Sequence, residues 1–241
     1  MVSIKWKRPE SVPFPSIWRR FKAKDVNTGE LVNYYVQDLP EDRYEEAVQL
    51  LVQHFLHDEP MCKAGGAADE PQSIEGFSNA WRAILQDKIS LVCFKEGSDE
   101  IVGVNVLKLC SKGVEEGIPE NAGRACTNML RAMEYATRNG NLYARYNVDK
   151  FFAGFALLVV PKYRALRLAE EILKARVPLG RGIGVHLTST VFTNKFSQAA
   201  AARAGFEETY VISYEDLRTT GPRIAFPGVE TEFIKLMSMK L

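Results

Sequence analysis

Apolar and polar residues alternate along Val32 to Asp38, with Val32, Tyr34 and Val36 on one face, the period of a strand. After Leu39-Pro40 the period changes. In EDRYEEAVQLLVQHFLHDEP, Ala47, Leu50, Leu51, His54 and Phe55 fall at i, i+3, i+4, i+7 and i+8, which predicts a helix ended by Pro60. Ile74, Phe77 and Trp81 share a face of a second helix over Pro71 to Gln86. The stretch ISLVCFKEGSDEIVGVNVLKL is two apolar runs around Glu96 to Asp99, a hairpin signal. A third helix is predicted over Asn121 to Asn139, a buried strand over Lys150 to Val160 and a fourth helix over Arg164 to Arg176. The strand GVHLTSTVFT and the Ala-rich helix KFSQAAAARA follow, and GFEETYVISY and EFIKLMSMKL close the chain. A hairpin followed by alternating strand and helix favours an α/β fold, one mixed sheet covered on both faces. Pro9, Pro13 and Pro15, with Trp6 and Trp18 among basic residues, mark residues 1–25 as an extension that packs by its aromatics, leaving 26–241 as one domain.

Composition narrows the class without naming a ligand. The length of 241 residues admits one large domain or two small ones, and the lack of any repeat or low-complexity linker favours one. With 31 basic and 30 acidic side chains the formal charge is +1, too balanced for nucleic acid or an anionic membrane to be the expected partner. Cys62, Cys93, Cys110 and Cys126 show no C-x-x-C spacing, and no positive-then-apolar leader opens the chain. A reducing, cytoplasmic setting is therefore expected, without disulfides or a thiolate metal site. The apolar run Phe151 to Val160 stops at Pro161, short of the ~18 residues that span a bilayer. A soluble monomer or weak dimer is the expectation.

Chemistry concentrates at LLVVPKYRALRLAEEILKAR, residues 157–176, where a buried strand enters a basic turn and then an amphipathic helix beginning near Ala165. The first N–H groups of a helix lack internal partners and its dipole adds positive charge, so such an end suits a phosphate. Arg164 and Arg167 add full charges. Basic surface turns are also common, and a merely solvated turn stands beside the phosphate reading.

The same stretch resembles motif A of the GNAT superfamily of N-acetyltransferases, V-x-P-x-Y/F-R/Q-x-x-G-x-G/A, through Val159, Pro161, Tyr163, Arg164 and Ala169. Asn194, Ser197, Gly205 and Phe206 resemble motif B of that superfamily. HFLHDEPM is similar to the F-x-x-D/E-E-P-L/M segment of insect-type arylalkylamine N-acetyltransferases. The resemblance covers residues 30–241 and implies an αβα domain whose mixed, mostly antiparallel sheet is splayed between the acetyl-CoA-binding strands. It implies acetyl-CoA as cosubstrate and no metal. Leu158, Val159 and Val160 would pair with pantetheine. Lys162, Arg164, Ala165, Leu166, Arg167, Leu168 and Ala169 would take the pyrophosphate, with Asn194 and Ser197 beside them. Glu59 maps onto the general base, and Thr193 with Ser197 onto a hydroxyl pair, Thr193 replacing a serine. Phe55, Asp58, Pro60 and Met61 would line the pocket of a small-molecule amine, arylalkyl by resemblance.

Without that context Glu59 reads as a solvated carboxylate at a helix end. Partly desolvated between helix and pocket, it would have its pKa raised toward neutrality, as deprotonating an alkylammonium requires. Two departures bear on activity. The family's R-G-x-G-x-A is Arg164-Ala165-Leu166-Arg167-Leu168-Ala169 here, so Arg167 either swings outward to pair with phosphate or fills the cradle and leaves a catalytically silent acetyl-CoA sensor. Ala201 stands where many acetyltransferases carry a tyrosine acid, a loss that suits the insect-type pattern. His54 and His186 read as core or edge histidines, His57 as a neighbour that could tune Glu59, and no histidine spacing implies a metal. Cys62 reads as a buried inert thiol.

Overall fold

The computed structural model describes residues 6–114 and 117–241. Eight strands form one sheet in the order β1-β2-β3-β4-β5-β6-β8-β7: β1 Ile17–Lys24, β2 Leu31–Asp38, β3 Leu91–Lys95, β4 Ile101–Ser111, β5 Lys150–Val159, β6 Leu187–Phe192, β7 Glu207–Ser213 and β8 Phe233–Lys240. Neighbours are antiparallel except β5 and β6. One face carries α1, which runs through Tyr44–Leu50, a wide turn at Leu51–Phe55 and Leu56–Asp58, then α2 Pro60–Gly65, α3 Pro71–Leu85, α4 Arg124–Gly140 and the short α5 Leu142–Tyr146. Leu51, Phe55, Met61, Phe77 and Trp81 pack there, with Phe77 stacked on Trp81. The other face carries α6 Leu168–Lys174, α7 Arg176–Ile183 and α8 Lys195–Ala204; α9 Tyr214–Thr219 follows β7.

Three local differences from the pattern reading have physical causes. Ile17–Lys24, placed within an N-terminal extension by its prolines and tryptophans, is the edge strand of the sheet, paired with β2 along its length. Residues 6–16 ahead of it are tied down by Asp38, while residues 1–5 of that extension lie outside the described residues. Pro60 does end α1, but it also opens α2 at the first helical position, where a missing N–H costs nothing. The fourth helix starts at Leu168 rather than at Arg164, and a further helix, α7, begins at Arg176 with Pro178 in its first turn.

The sheet opens at its centre. β5 pairs with β4 from Lys150 to Val159, but the register slips between Val106 and Leu107, so that Phe155 is an extra residue on β5. Such a bulge bends and twists its strand. On the other side β5 meets β6 only at Phe152 with Thr188 and Ala153 with Ser189. Past those pairs the two strands diverge, β5 on to Val159 and β6 on to Phe192.

Candidate active site

Glu59 stands at the break between α1 and α2. Its backbone is extended (φ −68°, ψ 126°), which ends one helix and caps the next, and its Oε2 accepts the Cys62 N–H at 2.7 Å. The residue is 6% exposed, and Oε1 is buried without a hydrogen-bond partner. Burial raises the carboxyl above its ordinary range, opposed by the Cys62 N–H and the nearby Thr193 hydroxyl. One carboxylate oxygen is thus satisfied by the chain's own N–H and the other is not.

Thr193 directly follows β6 and is buried beside Glu59. Its carbonyl accepts the Tyr214 hydroxyl at 2.9 Å, and burial together with the Glu59 charge pushes that phenol's pKa up. Tyr214 was missed by sequence reasoning, which had no periodic signal for a phenol just past the last residue of a strand. Asn194 is an N-cap: its Oδ1 accepts from Phe196 N–H at 3.0 Å and Ser197 N–H at 2.9 Å. Its side chain, expected to meet the cofactor, is committed to holding α8. Ser197 lies in the first turn of α8, where its hydroxyl donates to the Asn194 carbonyl at 3.0 Å.

The expected pocket residues divide. Phe55 and Met61 are buried core, Phe55 edge-on to Trp81 at 6.0 Å between ring centres, and Pro60 is half-buried as the first residue of α2. Asp58 is at the surface and pairs with Arg164 at 2.6 Å. Arg164 also donates from Nε to the Val159 carbonyl at 3.2 Å. It thus bridges the basic turn and the last residue of α1, next to Glu59. Of the backbone groups assigned to pantetheine, the Val160 N–H is already donated to Val102 O at 3.0 Å and the Val159 carbonyl is held by Arg164. Leu158 is buried in β5.

The basic turn is not helical. Ala165 and Arg167 both have left-handed backbones, φ +64° and +62°. These are the positions where the resembling motif has glycine, so the turn keeps a glycine-type conformation without glycines, which costs roughly 1–2 kcal/mol per residue. Turns containing left-handed residues gather N–H groups into anion-binding concavities. The Arg167 side chain leaves the turn: its Nε and Nη2 lie 2.9 and 2.8 Å from Glu170. Burial would raise the Glu170 carboxyl, but Lys174, Arg167 and Arg203 outweigh it and hold the pKa at about 2. Lys162 points elsewhere, to Glu100 at 2.6 Å, and Leu166, Leu168 and Ala169 pack inward.

Arg176, also missed, is fully buried beneath the divergence of β5 and β6. Its signal was a basic residue at i+8 from Leu168 and i+4 from Ile172, on the apolar stripe of a helix. Among the described residues no cluster of His, Cys, Asp and Glu is placed to hold a metal, and no helix is long and apolar enough to cross a membrane.

No protein-family model and no curated protein matches the chain. Solved structures do. A protein of the yellow fever mosquito Aedes aegypti, named by assignment arylalkylamine N-acetyltransferase 7, superposes with TM-score 0.95 at 43% identity over 98% of this chain and 99% of its own. Arylalkylamine N-acetyltransferase 2 of Aedes aegypti follows with TM-score 0.74 at 21% identity over 86% of this chain and 98% of that one. The Drosophila melanogaster polyamine N-acetyltransferase that forms N-acetylagmatine gives TM-score 0.72 at 21% identity over 86% and 100%. The last two speak for the fold alone, whereas the first joins fold to sequence over nearly the whole length. With that identity and the αβα fold split at its centre, the chain belongs to the insect-type arylalkylamine N-acetyltransferases of the GNAT superfamily and is an acyltransferase of that kind.

Proposed function

We propose that the protein transfers the acetyl group of acetyl-CoA to the primary amine of a small arylalkylamine by direct attack, with Glu59 as general base. The observation that carries this reading is the Glu59 carboxylate, 6% exposed, with Oε1 unpaired and burial raising its pKa. A base of that kind takes a proton from an alkylammonium near neutral pH, directly or through water. Ser197, with Thr193 beside Glu59, supplies the proton that the departing thiolate takes up. Asp58, on the same helix end, is paired with Arg164 and would offer its charge to an incoming cation once a pyrophosphate drew Arg164 away.

The residues present fit acetyl-CoA. The opened edge of β5 offers strand-like pairing to the pantetheine amides, and the left-handed turn Arg164 to Ala169 offers N–H groups to the pyrophosphate. Bound there, acetyl-CoA supplies an activated acyl group. Arg164 opens that turn, and a pyrophosphate would compete with Asp58 for its guanidinium. Arg167 is folded onto Glu170 and leaves the turn clear.

This division predicts opposite outcomes for two variants in calorimetry with CoA. Arg164→Ala should weaken CoA about tenfold, the worth of one charge-assisted hydrogen bond. Arg167→Gly should leave affinity unchanged. Loss of binding with Arg167→Gly alone would place Arg167 on the phosphate instead. The second reading, a silent acetyl-CoA sensor, draws on the replacement of both turn glycines; CoA binding without thiol release on any amine would favour it. No CoA binding at all would contradict both.

A further inference from the structure

Arg176 lies at the point where β5 and β6 part, and the acetyltransfer reading has no use for it. Its Nε donates to Asn105 Oδ1 at 2.9 Å, and its Nη1 to Thr188 Oγ1 at 3.0 Å and Thr190 Oγ1 at 2.9 Å. The guanidinium therefore crosses from β4 to β6 beneath β5. The β5 residue it passes is Gly154: a Cβ there would sit 2.6 Å from Arg176 Nη2 and would also collide with Thr190 Oγ1. Gly154 N–H donates to Thr190 Oγ1 at 3.1 Å, just past the last paired residues of β5 and β6. Phe206 covers the group from behind, its ring centre 5.6 Å away.

Among the described residues nothing anionic answers this charge. The groups facing Arg176 are an amide, two hydroxyls, a glycine and an aromatic ring, none of them titrating near neutrality. Its Nη2 is buried without any hydrogen-bond partner, and burial is the one influence on its pKa, lowering it to about 9. At neutral pH it remains a cation. A fully buried, uncompensated guanidinium with a spare donor is costly, and such costs persist where a ligand repays them.

We propose that Arg176 is the floor of an anion site at the vertex of the opened sheet, and that the anion it receives is the coenzyme's thiolate sulfur. This rests on the acetyltransferase reading. In the transfer the ammonium first gives one proton to Glu59, and the freed amine nitrogen forms the new N–C bond. The C–S bond breaks with its electron pair going to sulfur, and the second proton that nitrogen sheds on becoming an amide is the one destined for sulfur. Sulfur then bears one negative charge until a proton arrives through Ser197. A cation under the vertex stabilises that charge in a site from which water is excluded. It also lessens the demand on a strong acid in a chain with buried Ala201 on α8.

The test is calorimetry of CoA, and of dethio-CoA lacking the sulfur, in two buffers of different ionisation enthalpy at pH about 7.5, where a free thiol is mostly protonated. The intact protein should release about one proton per CoA bound and none per dethio-CoA. Arg176→Gln should bind CoA with almost no proton release and lower kcat by about 10²-fold, and Arg176→Lys should restore part of both. A purely structural arginine would not move proton release. Binding of CoA to the intact protein without proton release overturns this proposal alone and needs no variant to fold. Release by Arg176→Gln equal to that of the intact protein does the same. Absence of any CoA binding overturns the acetyltransferase reading, and the thiolate site with it.

Discussion

Replacing Glu59 with Ala should cut kcat by about 10²- to 10⁴-fold, the usual worth of a positioned general base, with little change in CoA affinity. The affinity is spared because Glu59 belongs to the α1–α2 break, while the contacts proposed for the coenzyme are drawn from β5 and the turn after it. Glu59→Gln keeps the shape and removes the base, so it should lose the same activity. Burial lifts the Glu59 pKa above the ordinary 4.5, so the acid limb of kcat/KM should sit above that value and vanish in the variant. Stability should move the other way. A carboxyl whose folded pKa is raised contributes stability that is present below the unfolded value and lost as pH rises through the folded one. Glu59→Gln should therefore raise Tm at neutral pH, with the gain disappearing below pH 4.5. Unchanged turnover in steady-state assays would remove Glu59 from the mechanism.

The second large effect is structural. Asp38→Ala should destabilise the fold by about 3–5 kcal/mol, seen as a lower urea midpoint, because it strands a buried charge. Asp38 is wholly buried at the end of β2 and accepts Arg8 Nη1 at 3.0 Å, Arg8 Nη2 at 2.8 Å, Trp18 Nε1 at 2.7 Å and Ser16 N–H at 2.9 Å. Arg8 lies over the Phe14 and Trp18 rings, so the aromatics of the N-terminal stretch sandwich the cation that pairs with the sheet. The consequence reaches the candidate site through β1: Arg19 pairs with Glu171 at 2.6 Å, bracing α6 just after the left-handed turn. A loss under about 1 kcal/mol, the range of an exposed pair, would mean that this stretch is not anchored as described.

The same physics explains which parts of the molecule the chain's pattern discloses. Apolar periodicity located the β3–β4 hairpin, α3 and the whole of α8, because in each the buried face repeats without interruption. β1 escaped it since IWRRFKAK is basic on an edge strand, where charge is expected and alternation is weak. The start of α6 escaped it because Ala165, Leu166 and Arg167 are good helix formers held in a turn by their surroundings. Among site residues, Glu59 and Thr193 do come together, through a proline-marked helix break and a strand end. Asn194 has the residue type of a cap and serves as one. Arg176 and Tyr214 depend on contacts between distant segments, such as Arg176 with Asn105, that no local pattern encodes.

Acetyl transfer to an amine is measured directly by thiol release from acetyl-CoA, with the intact protein against a panel of aryl, imidazole and aliphatic primary amines. Thiol release should depend on amine, be fastest with an arylalkylamine and be nearly abolished in Glu59→Ala. Release at the amine-free rate across the panel, with acetyl-CoA bound, would contradict it.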